Sequence, residues 1–258
     1  MIKEYFRPKT VEETLGLLEK PGSIIISGGT FVNSAIHDDI TVVDIQDLDF
    51  RYIKKGKDQL IIGSCSTLQD LANNKDIPNA MKQAILHDAP INIRNMATIG
   101  GSIVVSSGQS SLSTVLLSMD AVVQFTPDIG DITYSEFLTD DSLREGRKLI
   151  SSIRLQLSKT IFKSISATPE SRPIVTVSLS TKQNGKTRLA LGGFGKQPLL
   201  VFDGLIDDDI VPAAKSAYSG AGDELASSDY RSEMAAVLAK RCVVEMRSTF
   251  QKNSQKGG

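Results

Sequence analysis

The chain has 258 residues, a formal net charge of −1, 40% hydrophobic residues and 23% charged ones, the profile of an ordinary soluble globular protein with room for one large domain or two medium ones. A balance this close to neutral leaves no electrostatic footprint for nucleic acid or anionic lipid, and no apolar run approaches the ~20 residues of a membrane span. Met1–Pro8 lacks the basic-then-apolar pattern of a secretion signal, so a cytoplasmic location is expected.

In chain order, a first helix is expected from Val11 to about Lys20. Thr10 and Glu13 have the spacing of a capping box, Val11, Leu15 and Leu18 share one face, and Pro21-Gly22 stops the run. Ser23–Ser27 and Thr41–Ile45 read as short buried strands of a parallel α/β unit. Arg51–Lys54 and Gln59–Gly63 flank Lys55–Asp58 as a hairpin. Short helices are expected at Thr67–Asn73 and Pro78–Leu86. After the serine-rich stretch Ser106–Ser113 come a helix at Leu112–Met119 and strands at Ala121–Phe125 and Lys148–Leu157.

A third region starts near Thr160. Ile161–Ile165, Ile174–Ser180 and Lys186–Leu191 read as three antiparallel strands, the last two joined by a turn carrying Asn184-Gly185. Ser164–Pro173 is expected as a polar loop. Asp207-Asp208-Asp209 reads as a solvated loop or a helix start. Helices at Val211–Tyr218 and Tyr230–Thr249 close the chain, the second with a packing stripe of Met234, Leu238, Cys242 and Met246. The tail at 251–258 is polar and expected to be flexible.

The chemistry-bearing residues are sparse. The two cysteines, Cys65 and Cys242, cannot supply the thiolates of an iron–sulfur cluster or a cysteine-rich zinc site, and are expected as buried thiols. His37 and His87 stand alone, without metal-ligand spacing, and are expected in surface or capping roles. What stands out instead is a pair of glycine dipeptides. One closes the apolar run Ile24-Ile25-Ile26-Ser27-Gly28-Gly29-Thr30. The other lies in Ile93-Arg94-Asn95-Met96-Ala97-Thr98-Ile99-Gly100-Gly101-Ser102. Backbone stripped of side chains after an extended segment can turn consecutive N–H groups toward an anion such as a pyrophosphate. Neither a Gly-x-Gly-x-x-Gly fingerprint near the N-terminus nor a Gly-x-x-x-x-Gly-Lys-Ser/Thr loop is present, which argues against a Rossmann or P-loop site. Arg94 reads either as a phosphate contact or as a structural partner.

These motifs, with Phe6-Arg7-Pro8, Ile62-Gly63-Ser64, Leu189–Gly193 and Tyr230-Arg231, follow one another in an order that resembles the FAD-binding (medium) subunits of molybdenum hydroxylases. That family includes the flavoprotein subunits of xanthine dehydrogenase and carbon monoxide dehydrogenase. The resemblance spans nearly the whole chain, and Arg-Asn-x-Ala-Thr-Ile-Gly-Gly is its most specific part. It implies an α+β fold. An FAD-binding domain of the PCMH or vanillyl-alcohol-oxidase-like type would cover 1–157, with subdomains at about 1–49 and 50–157. A smaller domain with a three-stranded antiparallel sheet and helices would follow at 158–250.

The resemblance further implies FAD held at its diphosphate by both glycine loops. Ile26, Ser27, Gly28, Gly29, Thr30 and Phe31 would come from the first loop, and Thr98, Gly100, Gly101, Ser102 and Val104 from the second. Ala89 would lie just upstream, with Ile150 and Lys163 toward the flavin or adenine ends. No catalytic residue or metal ligand is implied on this chain. The implied partners are a molybdopterin-containing large subunit and a two-iron two-sulfur small subunit, with NAD as electron acceptor. Where the family has Asn after the second glycine pair this chain has Ser102, and the family's later acidic position falls at Ser111. A degenerate member that has lost flavin and serves assembly is therefore an alternative, and a free-standing flavin reductase is a third.

Overall fold

The computed structural model describes residues 2–31, 40–127, 129–145, 148–168, 171–206 and 209–254. The architecture is α+β, divided into two compact units. One gathers Met1–Asp76, Ala89–Val105 and Val122–Leu155, and the other Ile77–Asp88, Ser106–Ala121 and Gln156–Gly258. The units are interleaved in sequence, with the last crossing between Leu155 and Gln156.

The first unit begins with β1 (Ile2–Phe6), α1 (Val11–Leu18), β2 (Ser23–Ile26) and β3 (Ile40–Asp44). The three strands form a parallel sheet in the order β1-β3-β2. β3 is buried along its whole length because it is central. β1, not anticipated from the sequence, is an edge strand with almost every residue exposed, so no apolar alternation announces it. At α1 the Thr10 hydroxyl accepts from Glu13 N at 3.2 Å. The Glu13 carboxylate accepts from Lys9 N at 3.1 Å, one residue earlier than in a closed capping box.

Next come β4 (Ile53–Lys55), β5 (Gln59–Gly63) and α2 (Leu68–Asn73), and then α3 (Asn79–Asp88), which belongs to the second unit. α4 (Ile91–Arg94) and α5 (Ile99–Val104) return to the first unit before α6 (Ser111–Ser118) leaves it again. β6 (Val122–Thr126), β7 (Ile132–Thr133), α7 (Tyr134–Thr139), α8 (Asp141–Glu145) and β8 (Leu149–Gln156) complete a five-stranded sheet, β4-β5-β8-β6-β7.

In the second unit β9 (Lys159–Ser166), β10 (Pro173–Thr181), β11 (Lys186–Gly192) and β12 (Leu199–Leu205) form an antiparallel sheet in the order β12-β11-β10-β9. The sheet thus has a fourth strand beyond the three expected. β12 is an edge strand with an irregular exposure pattern, and Asp203 and Gly204 break its apolar run. Ser164–Ser166 and Pro173, expected in a polar loop, are strand residues.

The period-two alternation of β10 builds two faces. Val175, Val177 and Leu179 pack into a core with α9 (Ile210–Ala217) and α10 (Ser228–Ser254). On the opposite face Thr176 meets Thr114 at 3.3 Å and Ser178 meets Ser118 at 2.7 Å. That pairing explains why every residue of the hydroxyl-rich helix α6 is buried. The α10 stripe is core: Leu238, Cys242 and Met246 are buried and Met234 packs against the same cluster. Asp209 is the N-cap of α9, while residues 207–208 lie outside the described set. Of the expected tail, 251–254 continue α10 and 255–258 lie outside the described residues.

Candidate functional site

The first glycine pair follows β2, as its sequence implied. Gly28 is required by a crossing of two segments: a Cβ there would lie 1.9 Å from the Met96 carbonyl oxygen and 3.1 Å from Ala97 Cα. Gly29 has φ +63°, the left-handed region that glycine tolerates without cost. The Ser27 carbonyl accepts from the Gln46 side-chain amide, which anchors the loop's entry. Among the described residues, the N–H groups of Gly28, Gly29 and Thr30 meet no protein acceptor.

The second pair is different. It opens helix α5 instead of forming a loop, and the expectation that its N–H groups are free is corrected. Ile99 N donates to Ser66 O and Gly100 N to Ser64 O, both at 2.9 Å. Gly101 N donates to the N-cap Thr98 Oγ1 at 3.3 Å, and Ser102 N to Thr98 O at 2.9 Å. Thr98 bridges Thr67, and Leu68 N donates to Ala97 O at 2.8 Å, so the segment is laced to the start of α2. A Cβ on Gly100 would meet Ser64 Cβ at 2.8 Å and Ser64 O at 2.9 Å. Gly101 is exposed, and a Cβ on it would meet only Thr98 Oγ1, at 3.3 Å.

Both pairs border one cavity of about 350 Å³, whose walls lie wholly in the first unit. Ile26, Ser27, Gly28, Gly29, Thr30 and Phe31 line it from one side, and Thr98, Gly100, Gly101, Ser102 and Val104 from another. Ile150, on β8, also lines it. Ala89 and Lys163 do not. The Ala89 carbonyl accepts from Arg94 Nη1 at 2.6 Å, and Arg94 Nε donates to Gln69 Oε1 at 2.9 Å, so Arg94 is a structural tether. Lys163 belongs to the second unit and pairs with Glu245 of α10 at 2.7 Å.

Several lining residues were not named as cofactor contacts from the sequence: Ile45, Ser64 (which entered only within the Ile62-Gly63-Ser64 motif), Leu143, Arg144 and Lys148. The signal for the last two was present as the basic positions of Arg144–Lys148, but such runs are ordinarily solvated. Arg144 donates to Val104 O from Nε at 3.3 Å and Nη2 at 3.1 Å, closing the last turn of α5. No acidic residue lines the cavity among those described.

Both cysteines are free and buried. Burial pushes the Cys65 thiol up, outweighing the neighbouring Ser27 and Ser64 hydroxyls, which lie alongside without hydrogen-bonding geometry. Burial raises the Cys242 thiol to about 12. His87 is half-buried between Ser166 Oγ at 3.0 Å and Ser111 Oγ at 3.2 Å, and His37 lies outside the described residues. No group of three or more His, Cys, Asp or Glu side chains able to hold a metal occurs among the described residues. No described helix is long and apolar enough to cross a membrane.

Residues 1–155 match the family model described as the FAD binding domain in molybdopterin dehydrogenase. The chain belongs to this family. It is accordingly an FAD-dependent oxidoreductase subunit of the molybdenum hydroxylase group. Among curated relatives, the nicotinate dehydrogenase FAD-subunit of Eubacterium barkeri is 33% identical over 132 residues, covering 46% of this chain and 44% of that one. The glyceraldehyde dehydrogenase medium chain of Sulfolobus acidocaldarius is 24% identical, covering 94% of this chain and 97% of its own length. Among solved structures, quinoline 2-oxidoreductase from Pseudomonas putida 86 superposes with a TM-score of 0.78 at 16% identity, covering 94% of this chain and 95% of that one. That likeness establishes a shared fold.

Proposed function

We propose that this chain carries FAD as the electron-transfer subunit of a xanthine-dehydrogenase-like molybdenum hydroxylase, taking electrons from an iron–sulfur partner and delivering them to NAD. The observation that carries the proposal is the convergence of two glycine pairs, distant in sequence, on one cavity, with Gly28 seated against Met96 so tightly that no side chain fits.

The residues fit the cofactor. Among the described residues the N–H groups of Gly28, Gly29 and Thr30 are unpaired, and a phosphate oxygen is the acceptor such a row suits. Thr98 Oγ1 accepts from Gly101 N and keeps its own proton to donate. The bare edge of Gly101 lets an anion approach the main chain, and the Ile24–Ile26 wall offers an apolar face to a ring. Among the described residues no carboxylate lines the cavity to repel a diphosphate. FAD bound there would supply the exchange of one or two electrons, while the protein orients it and excludes water. Ile26, Ser27, Phe31, Gly100, Ser102, Val104 and Ile150 complete the proposed contact set.

The partner reading draws on the relatives, one named as an FAD-subunit and the other as a medium chain of a dehydrogenase. A molybdopterin-containing large subunit and a two-iron two-sulfur small subunit would hold the metals, for which this chain has no described ligand cluster. A cytoplasmic location belongs to the same proposal. One observation favours the second reading, an assembly subunit without flavin. Ser111, at the family's acidic position, is wholly buried, and its N–H is held by Asp88 Oδ1 at 2.7 Å.

Visible absorbance separates the two. Protein purified without added cofactor, or after incubation with FAD, should show a flavin spectrum and be reducible by NADH. A chain that stays colourless in FAD yet copurifies with a molybdenum-containing subunit would establish the second reading instead.

A further inference from the structure

Among the described residues the cavity walls carry charge of one sign. Arg144 and Lys148 are the charged residues lining it among those described. The first turn of α5 has its N–H groups already engaged by Ser66, Ser64 and Thr98, so it has little left to offer an anion. The free N–H groups of Gly28–Thr30 supply partial charges, whereas a diphosphate brings two full negative ones. Full positive charge in the cavity comes from the segment that leads into β8.

The two cations differ in freedom. Arg144 is held: its side chain is 13% exposed, it caps Val104, and its Nη1 stands 4.0 Å from Asp141. Lys148 is exposed and, among the described residues, has no ion-pair partner. It immediately precedes Leu149 and Ile150, which line the same cavity. The carboxylate that feels its charge is Asp140, mainly occupied by the Ser142 hydroxyl and N–H.

We infer that Lys148, with Arg144 fixed behind it, reads the diphosphate charge of the cofactor and makes this cavity select FAD over an uncharged flavin. The inference rests on the FAD reading above. An exposed ammonium at a cavity wall adds Coulomb attraction that salt screens, whereas a structural lysine does not discriminate between ligands by charge.

The test uses the full chain and three probes: FAD, riboflavin and inorganic pyrophosphate. Lys148→Ala should weaken FAD binding roughly fivefold to tenfold at low ionic strength, flatten the salt dependence of that binding, and leave riboflavin binding unchanged. Lys148→Arg should restore both affinity and salt dependence. Equal losses for FAD and riboflavin, or an undiminished FAD affinity at low salt, overturn the inference. Wild-type protein protected against thermal unfolding by pyrophosphate in a Lys148-dependent way, but not by FAD, keeps the charge site and overturns the cofactor reading. Protection by neither overturns both.

Discussion

At Gly28-Gly29 the missing side chains let one segment cross another and leave N–H donors open. At Gly100-Gly101 the donors are already bonded, and the missing side chains let a helix settle onto Ser64 while keeping one edge of the cavity bare. The same dipeptide therefore answers two requirements. Among the described residues, the first pair leaves its hydrogen-bond donors unengaged and the second leaves an edge of the cavity open. A motif reading that assigns both to phosphate binding through the backbone merges two physical roles that substitutions can separate.

The largest effect is expected at the crossing. Gly28→Ala would drive a methyl carbon to 1.9 Å from the Met96 oxygen, and backbone cannot yield as a flexible side-chain tip can. Destabilisation of about 3 kcal/mol is expected, with loss of flavin, read by thermal or denaturant unfolding. Gly100→Ala would meet Ser64 Cβ at 2.8 Å and the Ser64 carbonyl oxygen at 2.9 Å, a shallower overlap than at Gly28, and should cost less, about 1–2 kcal/mol. An equal cost at both positions would remove the distinction between the deep overlap at the crossing and the shallower one where α5 rests on Ser64.

Gly101 sharpens the contrast from the other side. Gly101→Asp finds space, and an acidic residue in the first turn of a helix is favoured by its dipole. The variant should keep wild-type stability within about 0.5 kcal/mol while flavin retention falls by on the order of a hundredfold, the effect of placing like charge at the proposed phosphate contact. Gly101→Ala, the neutral control, should be as stable as wild type or more so and retain flavin. Unchanged FAD affinity in Gly101→Asp would remove the second pair from the site.

The smallest expected effect concerns what supports the second pair. Thr67 and Asp70 form a capping box on α2, and Arg51 grips Asp70 at 2.9 and 3.0 Å. Partial burial works to raise the Asp70 carboxyl, but Arg51 and the Thr67 N–H and hydroxyl hold it below its ordinary 3.8. A carboxyl depressed by folding stabilises fully above its unfolded pKa, and that stabilisation is lost as pH falls through the folded value. Acidification from about pH 5 to 3 should therefore lower the melting temperature more in wild type than in Asp70→Asn. Parallel pH profiles would show the cap to be irrelevant to this segment.

Elements with a strong local pattern were legible. The Thr10 cap and apolar face of α1, the β4–β5 hairpin, the Asn184-Gly185 turn and the four-residue stripe of α10 each combine periodicity with a stop signal. Elements whose patterns depend on neighbours were not. β1 is nearly all exposed, β12 is an interrupted edge, and α4 is a single turn. α6 reads as a helix, but nothing local says that Thr114 and Ser118 will pair with β10 and carry the helix into the second unit. In the cavity, Ser27–Phe31 and Thr98–Ser102 were found because glycine pairs mark themselves. Arg144 and Lys148 do not, being ordinary residue types in ordinary surroundings.

What the sequence by itself determined is the family, the α+β class and the two segments that meet at the cavity, because glycine, caps and apolar periodicity act over a few residues and leave their mark in order along the chain. The tertiary structure alone decided which N–H groups stay free, which glycine makes room for backbone and which for solvent, and which charges border the cavity. Those depend on Met96, Ser64 and Val104 arriving from elsewhere in the chain, and distances between segments far apart in sequence are set by packing.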